Sequence, residues 1–380
     1  MKLLFSVIFR IILFPITLLV RPIIYVRNWL YDKNILKSTQ PEIFTINVGN
    51  LNLGGTGKTP HVEYLVRLLA DKHKTTILSR GYMRRTSGFI LANDKATAYT
   101  IGDEPMQYYL KFKDKINVAV CENRIEGVQK IRTAALPQPS PREGEFLSPS
   151  PSGRAGEGLV ILDDAFQHRP IAPHLNLLLC DYNRPFYDDY LVPFGSLRDL
   201  RQSAKRADAV IVTKCPKDIS FEEYKTIMTG ISRYTLPNTP VFFSTIKYKS
   251  VVGYSSKSVF KANKTTDIIT AIAKPELFIG ELYLQGVNIN FVRDYPDHYS
   301  FSRNDIDKAI EATGNFRKVP QIISTEKDMV KIKPLLNDDE LKRFFYLPIE
   351  IEMKDKKSFD AFVLEKIKGY RTSVSHTPKR

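Results

Sequence analysis

An apolar, β-prone run, Ile43-Phe44-Thr45-Ile46-Asn47-Val48, leads directly into Gly49-Asn50-Leu51-Asn52-Leu53-Gly54-Gly55-Thr56-Gly57-Lys58-Thr59-Pro60. A helix-like segment from His61 to Ala70 follows. Strand, glycine-rich loop, Lys-Thr and helix is the phosphate-cradling arrangement of a P-loop. The glycines let backbone N–H groups crowd around a polyphosphate, and the helix N-terminus adds its positive end. Asn52, Leu53, Gly54, Gly55, Thr56, Gly57, Lys58 and Thr59 are therefore the expected nucleotide-binding residues. Lys58 reaches the β- and γ-phosphates, and the Thr59 hydroxyl sits on Mg²⁺. The usual G-x-x-x-x-G-K-[ST] spacing puts a glycine where this chain has Asn52. The alternative is a glycine-rich turn with an incidental lysine, which the flanking strand and helix disfavour.

At 380 residues, with 43% hydrophobic and 26% charged residues, the chain is that of a folded protein of about two domains. Its net charge of +15 favours an anionic partner, without choosing among nucleic acid, anionic lipid and polyphosphate. The three cysteines, Cys121, Cys180 and Cys215, each end a strand-like run and form no Cys-x-x-Cys pair. They read as small buried hydrophobes in a reducing compartment.

Residues Leu3 to Val26 are almost wholly apolar but carry Arg10 and Arg21, with Pro15 and Pro22. No uncharged run approaches the roughly 18 to 20 residues that a membrane span needs. At about 100° per residue, Lys2, Ser6, Arg10, Thr17 and Arg21 share one narrow helical face. Arg27, Trp29 and Tyr31 then suit a headgroup boundary. The pattern predicts a helix lying in a membrane surface, with the body on the cytoplasmic side. A signal peptide lacks a small-residue cleavage site here, and a buried core helix is the other alternative.

Apolar β-rich runs at 43–48, 75–79, 116–120, 159–163, 175–181 and 209–213 alternate with helix-like segments. This predicts an α/β fold, a P-loop NTPase-like, mostly parallel sheet with helices on both faces. After Leu236-Pro237-Asn238-Thr239-Pro240 the rhythm changes, with strands expected near 241–247, 289–294 and 320–324 and helices near 303–313 and 357–368. The expected division is a membrane-associated N-terminal helix over 1–34, a nucleotide-binding domain over 35–240, a smaller C-terminal α/β domain over 241–370 that contributes to the active site, and a flexible tail over 371–380. Within it, 136–158 is dense in Pro, Ser, Gly and charge, and reads as a disordered, dispensable insertion.

Leu159-Val160-Ile161-Leu162-Asp163-Asp164 is an apolar strand ending in two acids, the Walker B pattern, in which an acid beside the P-loop holds Mg²⁺ directly or through water. Asp103, in Ile101-Gly102-Asp103-Glu104-Pro105-Met106, is either a helix N-cap or the acid that takes a proton from an acceptor hydroxyl. His298, in Asp294-Tyr295-Pro296-Asp297-His298-Tyr299, lies on a loop after an expected strand, where a carboxylate could orient it. Arg80, Arg84, Arg85, Asn123, Arg124, His168, Arg169 and Arg198 cluster in short motifs, several of them just after expected strand ends. They could line the P-loop rim and meet an anionic acceptor, or be solvated surface groups.

In combination the chain resembles the tetraacyldisaccharide 4'-kinase family, the lipid A 4'-kinases. The matching residues are VGNLNLGGTGKTP at 48–60, SRGY at 79–82, GDEP at 102–105, LDDAFQHR at 162–169, LVPFGSLRD at 191–199, VTKCP at 212–216, YPDHYSF at 295–301 and STEKDMVK at 324–331. The family's loop carries its glycines as Gly-Gly-x-Gly-Lys-[ST], so Asn52 is its ordinary form. The resemblance implies an ATP- and Mg²⁺-dependent kinase that phosphorylates the 4'-hydroxyl of a tetraacylated glucosamine disaccharide 1-phosphate. It implies that Asp103 acts as base in a dyad with His298, and that Asp163 and Asp164 serve Mg²⁺ and developing charge beside Lys58 and Thr59. Arg80, Arg84, Asn123, Arg124, Gln167 and Arg198 are the candidate substrate contacts. Asp199 falls where the family carries a Glu, and its shorter reach makes it a doubtful metal ligand. The implied location is the cytoplasmic face of the inner membrane, with a lipid-linked substrate, no nucleic acid and no obligate protein partner. A membrane-associated ATPase or GTPase switch is the rival. Thr213-Lys214 resembles part of a guanine-reading loop, but position 216 is Pro216 rather than Asp.

Overall fold

The computed structural model describes residues 2–135, 158–311 and 320–375, with side chains over 15–133, 158–311 and 320–372. Helix α1 (Lys2–Asp32) precedes β1 (Phe44–Asn50), α2 (Lys58–Leu69), β2 (Lys74–Ser79) and β3 (Ile90–Leu91). Next come α3 (Ala98–Ile101), α4 (Asp103–Phe112), β4 (Asn117–Val120), α5 (Arg124–Ala135), β5 (Gly158–Asp163), β6 (Leu175–Asp181), β7 (Ala209–Thr213), α6 (Phe221–Ser232) and β8 (Val241–Tyr248). These strands join a nine-stranded sheet in the order β14-β8-β7-β6-β1-β5-β2-β4-β3, where β14 is Ile349–Met353. All its pairings are parallel except the two edges, β3 on β4 and β14 on β8. Strands β1, β6 and β7 are buried along their whole length, because helices cover both faces of a parallel sheet. The six strand runs expected up to residue 213 all appear as strands here.

A second, five-stranded sheet has the order β11-β10-β12-β13-β9, built from β9 (Val252–Gly253), β10 (Thr266–Thr270), β11 (Ile289–Asp294), β12 (Gln321–Thr325) and β13 (Phe344–Leu347). Around it lie α7 (Pro275–Leu284), α8 (Arg303–Glu311), α9 (Glu326–Ile332) and α10 (Asp338–Leu341), and α11 (Lys356–Ser375) ends the described chain. A boundary at 240 does not follow sheet membership. Strand β8 pairs parallel with β7, and β14 returns to pair with β8 over five residues. Phe359, Val363 and Ile367 of α11 then fill the same core as Ile46 and Val48 of β1 and Leu65 of α2. The smaller unit is thus an excursion between β8 and β14, closed because an antiparallel edge strand needs a partner and α11 has an apolar stripe to bury. Helix α11 also runs past Tyr370, where the tail was expected to begin. Residues 136–157 and 376–380, which hold nearly all the expected insertion and half of the expected tail, lie outside the described residues.

From Pro15 onward, helix α1 packs through one side. The Thr17 hydroxyl accepts from the Phe194 amide at 3.2 Å, Asn28 donates to Asp199 at 2.7 Å and to Ser203 at 3.2 Å, and Arg27 donates to the Gln167 carbonyl at 2.9 Å. The other side exposes Ile16, Leu18, Leu19, Ile23, Tyr25, Val26 and Trp29. Among the described residues no helix is long and apolar enough to cross a membrane.

Candidate active site

The loop between β1 and α2 is held by its carbonyls. Leu53 accepts from Arg184 at 2.5 Å, Gly54 from the Thr56 amide at 3.1 Å, Gly55 from Lys214, Thr56 from the Thr213 hydroxyl at 3.0 Å, and Gly57 from His61 Nδ1 at 2.7 Å. A peptide's N–H points opposite to its C=O, so amides across these bonds, including those of Gly55, Gly57 and Lys58, turn to the other side. That builds the anion-binding concavity at the start of α2. Gly54 and Gly57 sit at φ 96° and 87°, backbone that a side chain would strain. His61 is buried, and burial pulls its imidazole down to about 4, so it is a neutral strut that donates to Gly57 and meets Ser244 at 3.0 Å. Asn52, at the missing glycine, is fully buried. Its amide group donates to Asp189 at 2.9 Å and Ser196 at 3.3 Å, and the Leu53 N–H donates to the Ser196 carbonyl at 2.6 Å. These two residues anchor the loop to the 189–197 segment, so the Asn52 side chain and the Leu53 amide are not available to a phosphate.

Lys58 Nζ lies 3.4 Å from Asn50 Oδ1 and 3.7 Å from Asp164 Oδ2. Asp164 stands at φ 54°, a left-handed position uncommon for non-glycine residues and frequent at functional sites. Arg198 grips it with two bonds, at 2.9 Å and 2.7 Å, and also donates to Asn50 Oδ1 at 2.5 Å. Burial opposes the Asp164 charge, but Lys58 and Arg198 outweigh it and hold the carboxyl below its ordinary range. Asp163 is the reverse case. Burial, then the charges of Glu104 and Asp164, push its carboxyl up to about 7 despite Lys58 and Arg124. Its Oδ2 accepts from Tyr108 at 3.3 Å, and its buried Oδ1 has no partner. The Thr59 side chain lies beside the same tyrosine hydroxyl. An orphaned carboxylate oxygen at a strand end, next to a P-loop hydroxyl, fits a hard cation that takes oxygen ligands. Among the described residues no cluster of three or more His, Cys, Asp or Glu could hold a metal alone, so phosphate oxygens and water would complete the shell of an Mg²⁺.

Asp103 opens α4, with Gly102 at φ 96° taking the cap position that Asp103 was considered for. Its Oδ2 lies 3.9 Å from His298 Nδ1 and 3.8 Å from Lys331 Nζ. His298 comes from the loop after β11 at φ 62°, and its ring meets Tyr82 edge-on at 5.8 Å. The two sheet units thus meet where these two side chains meet.

The other candidates divide. Arg124 is buried and donates to the carbonyls of Cys121 at 2.8 Å and Asp163 at 3.1 Å, so it ties strand ends together instead of facing solvent. Arg84 holds Gly88 and Glu122, and Asn123 caps α5 through the amides of Ile125 and Glu126. Gln167 donates to the Asn50 carbonyl at 2.7 Å, which links α1 to the P-loop strand. Arg80 stays exposed and makes no hydrogen bond or ion pair with the described residues. Asp199 is 1% exposed with both oxygens taken, by Asn28 and Leu200 on one side and Arg206 at 2.9 Å on the other. It serves α1, and no metal-facing oxygen is left to it. Sequence reasoning gave no role to Asn50, Glu104, Lys327 or Lys331. The last two lie within the STEKDMVK stretch that contributed to the resemblance, which was the available signal.

A phosphate cradle, a carboxylate suited to magnesium and a separate carboxylate–imidazole pair on an adjoining unit equip the chain for phosphoryl transfer to an acceptor. A hydrolytic switch has no use for the third part. The molecule is a kinase of the P-loop class. More particularly, the chain belongs to the tetraacyldisaccharide-1-P 4'-kinase family, whose model matches residues 9–368. It is 40% identical over 366 residues to the tetraacyldisaccharide 4'-kinase of Flavobacterium psychrophilum, covering 95% of this chain and 98% of that one. The Bacteroides thetaiotaomicron enzyme of the same name is 37% identical over 358 residues, covering 90% and 88%. In fold the chain is similar to LpxK from Aquifex aeolicus, a crystal structure described as an "apo" form in complex with ATP. The TM-score is 0.70 at 24% identity, over 94% of this chain and 99% of that one.

Proposed function

We propose that this kinase transfers the γ-phosphoryl group of ATP to the 4'-hydroxyl of a tetraacylated glucosamine disaccharide 1-phosphate, a step of lipid A biosynthesis that forms lipid IVA. The observation that carries the reading is the approach of His298 to Asp103 beside a P-loop in a chain of this family. The amides of Gly54, Gly55, Gly57 and Lys58 and the α2 N-terminus bind the β- and γ-phosphates, and Lys58 neutralises charge that builds on the transferring group. Thr59 and Asp163 would hold Mg²⁺, which would offset the negative charge of the phosphates. Asp164, kept ionised by Lys58 and Arg198, holds Lys58 in place. Asp103 accepts the acceptor's hydroxyl proton, and His298 orients and stabilises it. Arg80, exposed and without a hydrogen bond or ion pair among the described residues, is a cation available to the acceptor's phosphate.

The outward apolar side of α1 supports docking in the cytoplasmic leaflet of the inner membrane, where acyl chains stay in the bilayer and the sugar reaches the site. Incubation of pure protein with labelled ATP, Mg²⁺ and the disaccharide acceptor tests the reading. Acceptor-dependent label transfer is expected, and ATP hydrolysis without transfer would refute it.

A further inference from the structure

Helix α9 presents two lysines one turn apart, and both reach the Asp103–His298 pair. Lys327 Nζ lies 3.2 Å from His298 Nε2 and 3.1 Å from Asp297 Oδ1. Lys331 Nζ lies 3.8 Å from Asp103 Oδ2, donates to the Tyr299 carbonyl at 2.9 Å and pairs with Asp328 at 3.2 Å. We propose that these residues form a positioning clamp, in which Lys327 fixes the tautomer of His298 and Lys331 steadies the Asp103 carboxylate.

An ammonium group has three donors and no acceptor, so in the 3.2 Å contact His298 Nε2 must accept. The ring proton then resides on Nδ1, the nitrogen that faces Asp103. The groups around the imidazole are Asp103 from α4, Lys327 from α9, Asp297 from its own loop and the Tyr82 edge from the loop after β2. Asp297 Oδ2 lies only 3.9 Å from Nε2. Without Lys327, Asp297 would draw the ring proton to Nε2, and the tautomer would change. Lys327 therefore opposes its neighbour's pull and keeps the ring N–H on Nδ1, toward the base. Helix α9 itself is built for this placement. The Thr325 hydroxyl caps its N-terminus by accepting from the Asp328 amide at 3.1 Å, and Lys331 is 7% exposed.

The clamp deepens the kinase reading, and its kinetic consequence rests on that reading. The chain has only six histidines, so ¹⁵N-histidine labelling with His298→Gln as the assignment control reports the tautomer directly. Wild type is expected to show an unprotonated Nε2, Lys327→Met a protonated one, and Lys327→Arg the wild-type form. In steady-state assays Lys327→Met should lower kcat about tenfold to a hundredfold, with the KM for ATP within about twofold. Should the methionine variant fail to fold, Lys327→Leu, which also lacks a donor, carries the same expectation. A protonated Nε2 in wild type, or a tautomer and kcat unmoved by Lys327→Met, would overturn the clamp while acceptor phosphorylation by wild type left the kinase reading intact. The expected tautomers without any acceptor-dependent transfer would sink the kinase reading and leave the clamp standing.

Discussion

Lys111→Met strikes the contact that holds the two sheet units in register. Lys111 of α4 donates to Glu63 of α2 at 2.8 Å and to Glu326, the first residue of α9, at 2.6 Å. The carboxylates are 1% and 7% exposed. Glu63 keeps other partners, with Gln107 donating at 2.9 Å and Arg67 at 3.2 Å. Glu326 does not. Among the described residues Lys111 is its one side-chain partner, and its Oε2 is buried without a bond. Removing one member of a buried ion pair costs about 3 to 5 kcal/mol, and the compensation at Glu63 places this case near the lower figure, about 3 kcal/mol. Burial, then Glu63, already raises the Glu326 carboxyl above its ordinary 4.5, and loss of Lys111 raises it further. A carboxyl raised in the folded state contributes stability below its unfolded value and loses it as pH climbs through the folded value. The deficit of Lys111→Met should therefore be full at about pH 8 and shrink as pH falls toward 4.5, where Glu326 is neutral. Urea unfolding followed by far-UV circular dichroism at about pH 8 and about pH 5 measures both values. A deficit below about 1 kcal/mol at the higher pH, or an equal deficit at both, would refute the reasoning.

Asp103→Asn and His298→Ala should each lower kcat about 10²- to 10⁴-fold with little change in the KM for ATP, because they act on the acceptor proton and not on bound nucleotide; steady-state kinetics in both substrates checks this. Deletion of residues 138–156 should leave kcat within about twofold and the thermal midpoint within a few degrees, since that stretch, apart from Phe146 and Leu147, has almost no apolar surface to bury. Leu19→Glu with Ile23→Glu should lower co-sedimentation with anionic vesicles at least about tenfold, given roughly 1.5 to 3 kcal/mol for each large apolar side chain withdrawn from water. Acceptor phosphorylation in detergent by that variant should stay near wild type.

Much of the site was legible because its chemistry is local. The P-loop is one contiguous stretch, Asp163 and Asp164 end the strand beside it, and glycine and lysine spacing reports backbone function directly. The parallel core was legible because strands buried on both faces read as unbroken apolar runs, as in Leu175–Asp181. What was hidden depends on which partner a polar side chain finds. Arg124 and Arg198 both follow strand ends and look alike in sequence. One is sealed under Asp163, and the other grips Asp164. Asp199 likewise gives no sign in sequence that α1, 171 residues away, takes one of its oxygens. The return of β14 and α11 to the large sheet escaped for the same reason, since an edge strand is recognised by its partner β8 and not by composition.

By itself the sequence determined a P-loop in an α/β frame, the acids beside it, the apolar first helix and the family, because each is written in contiguous residues with a mechanism of its own. Only the tertiary structure could bring Asp103 within 3.9 Å of His298, 195 positions later in the chain. The same fold set Lys327 and Lys331 against that pair and turned Asn52 away from the phosphate cradle. Long-range contacts of this kind depend on how the excursion between β8 and β14 packs back on α4, and no local pattern encodes that closure.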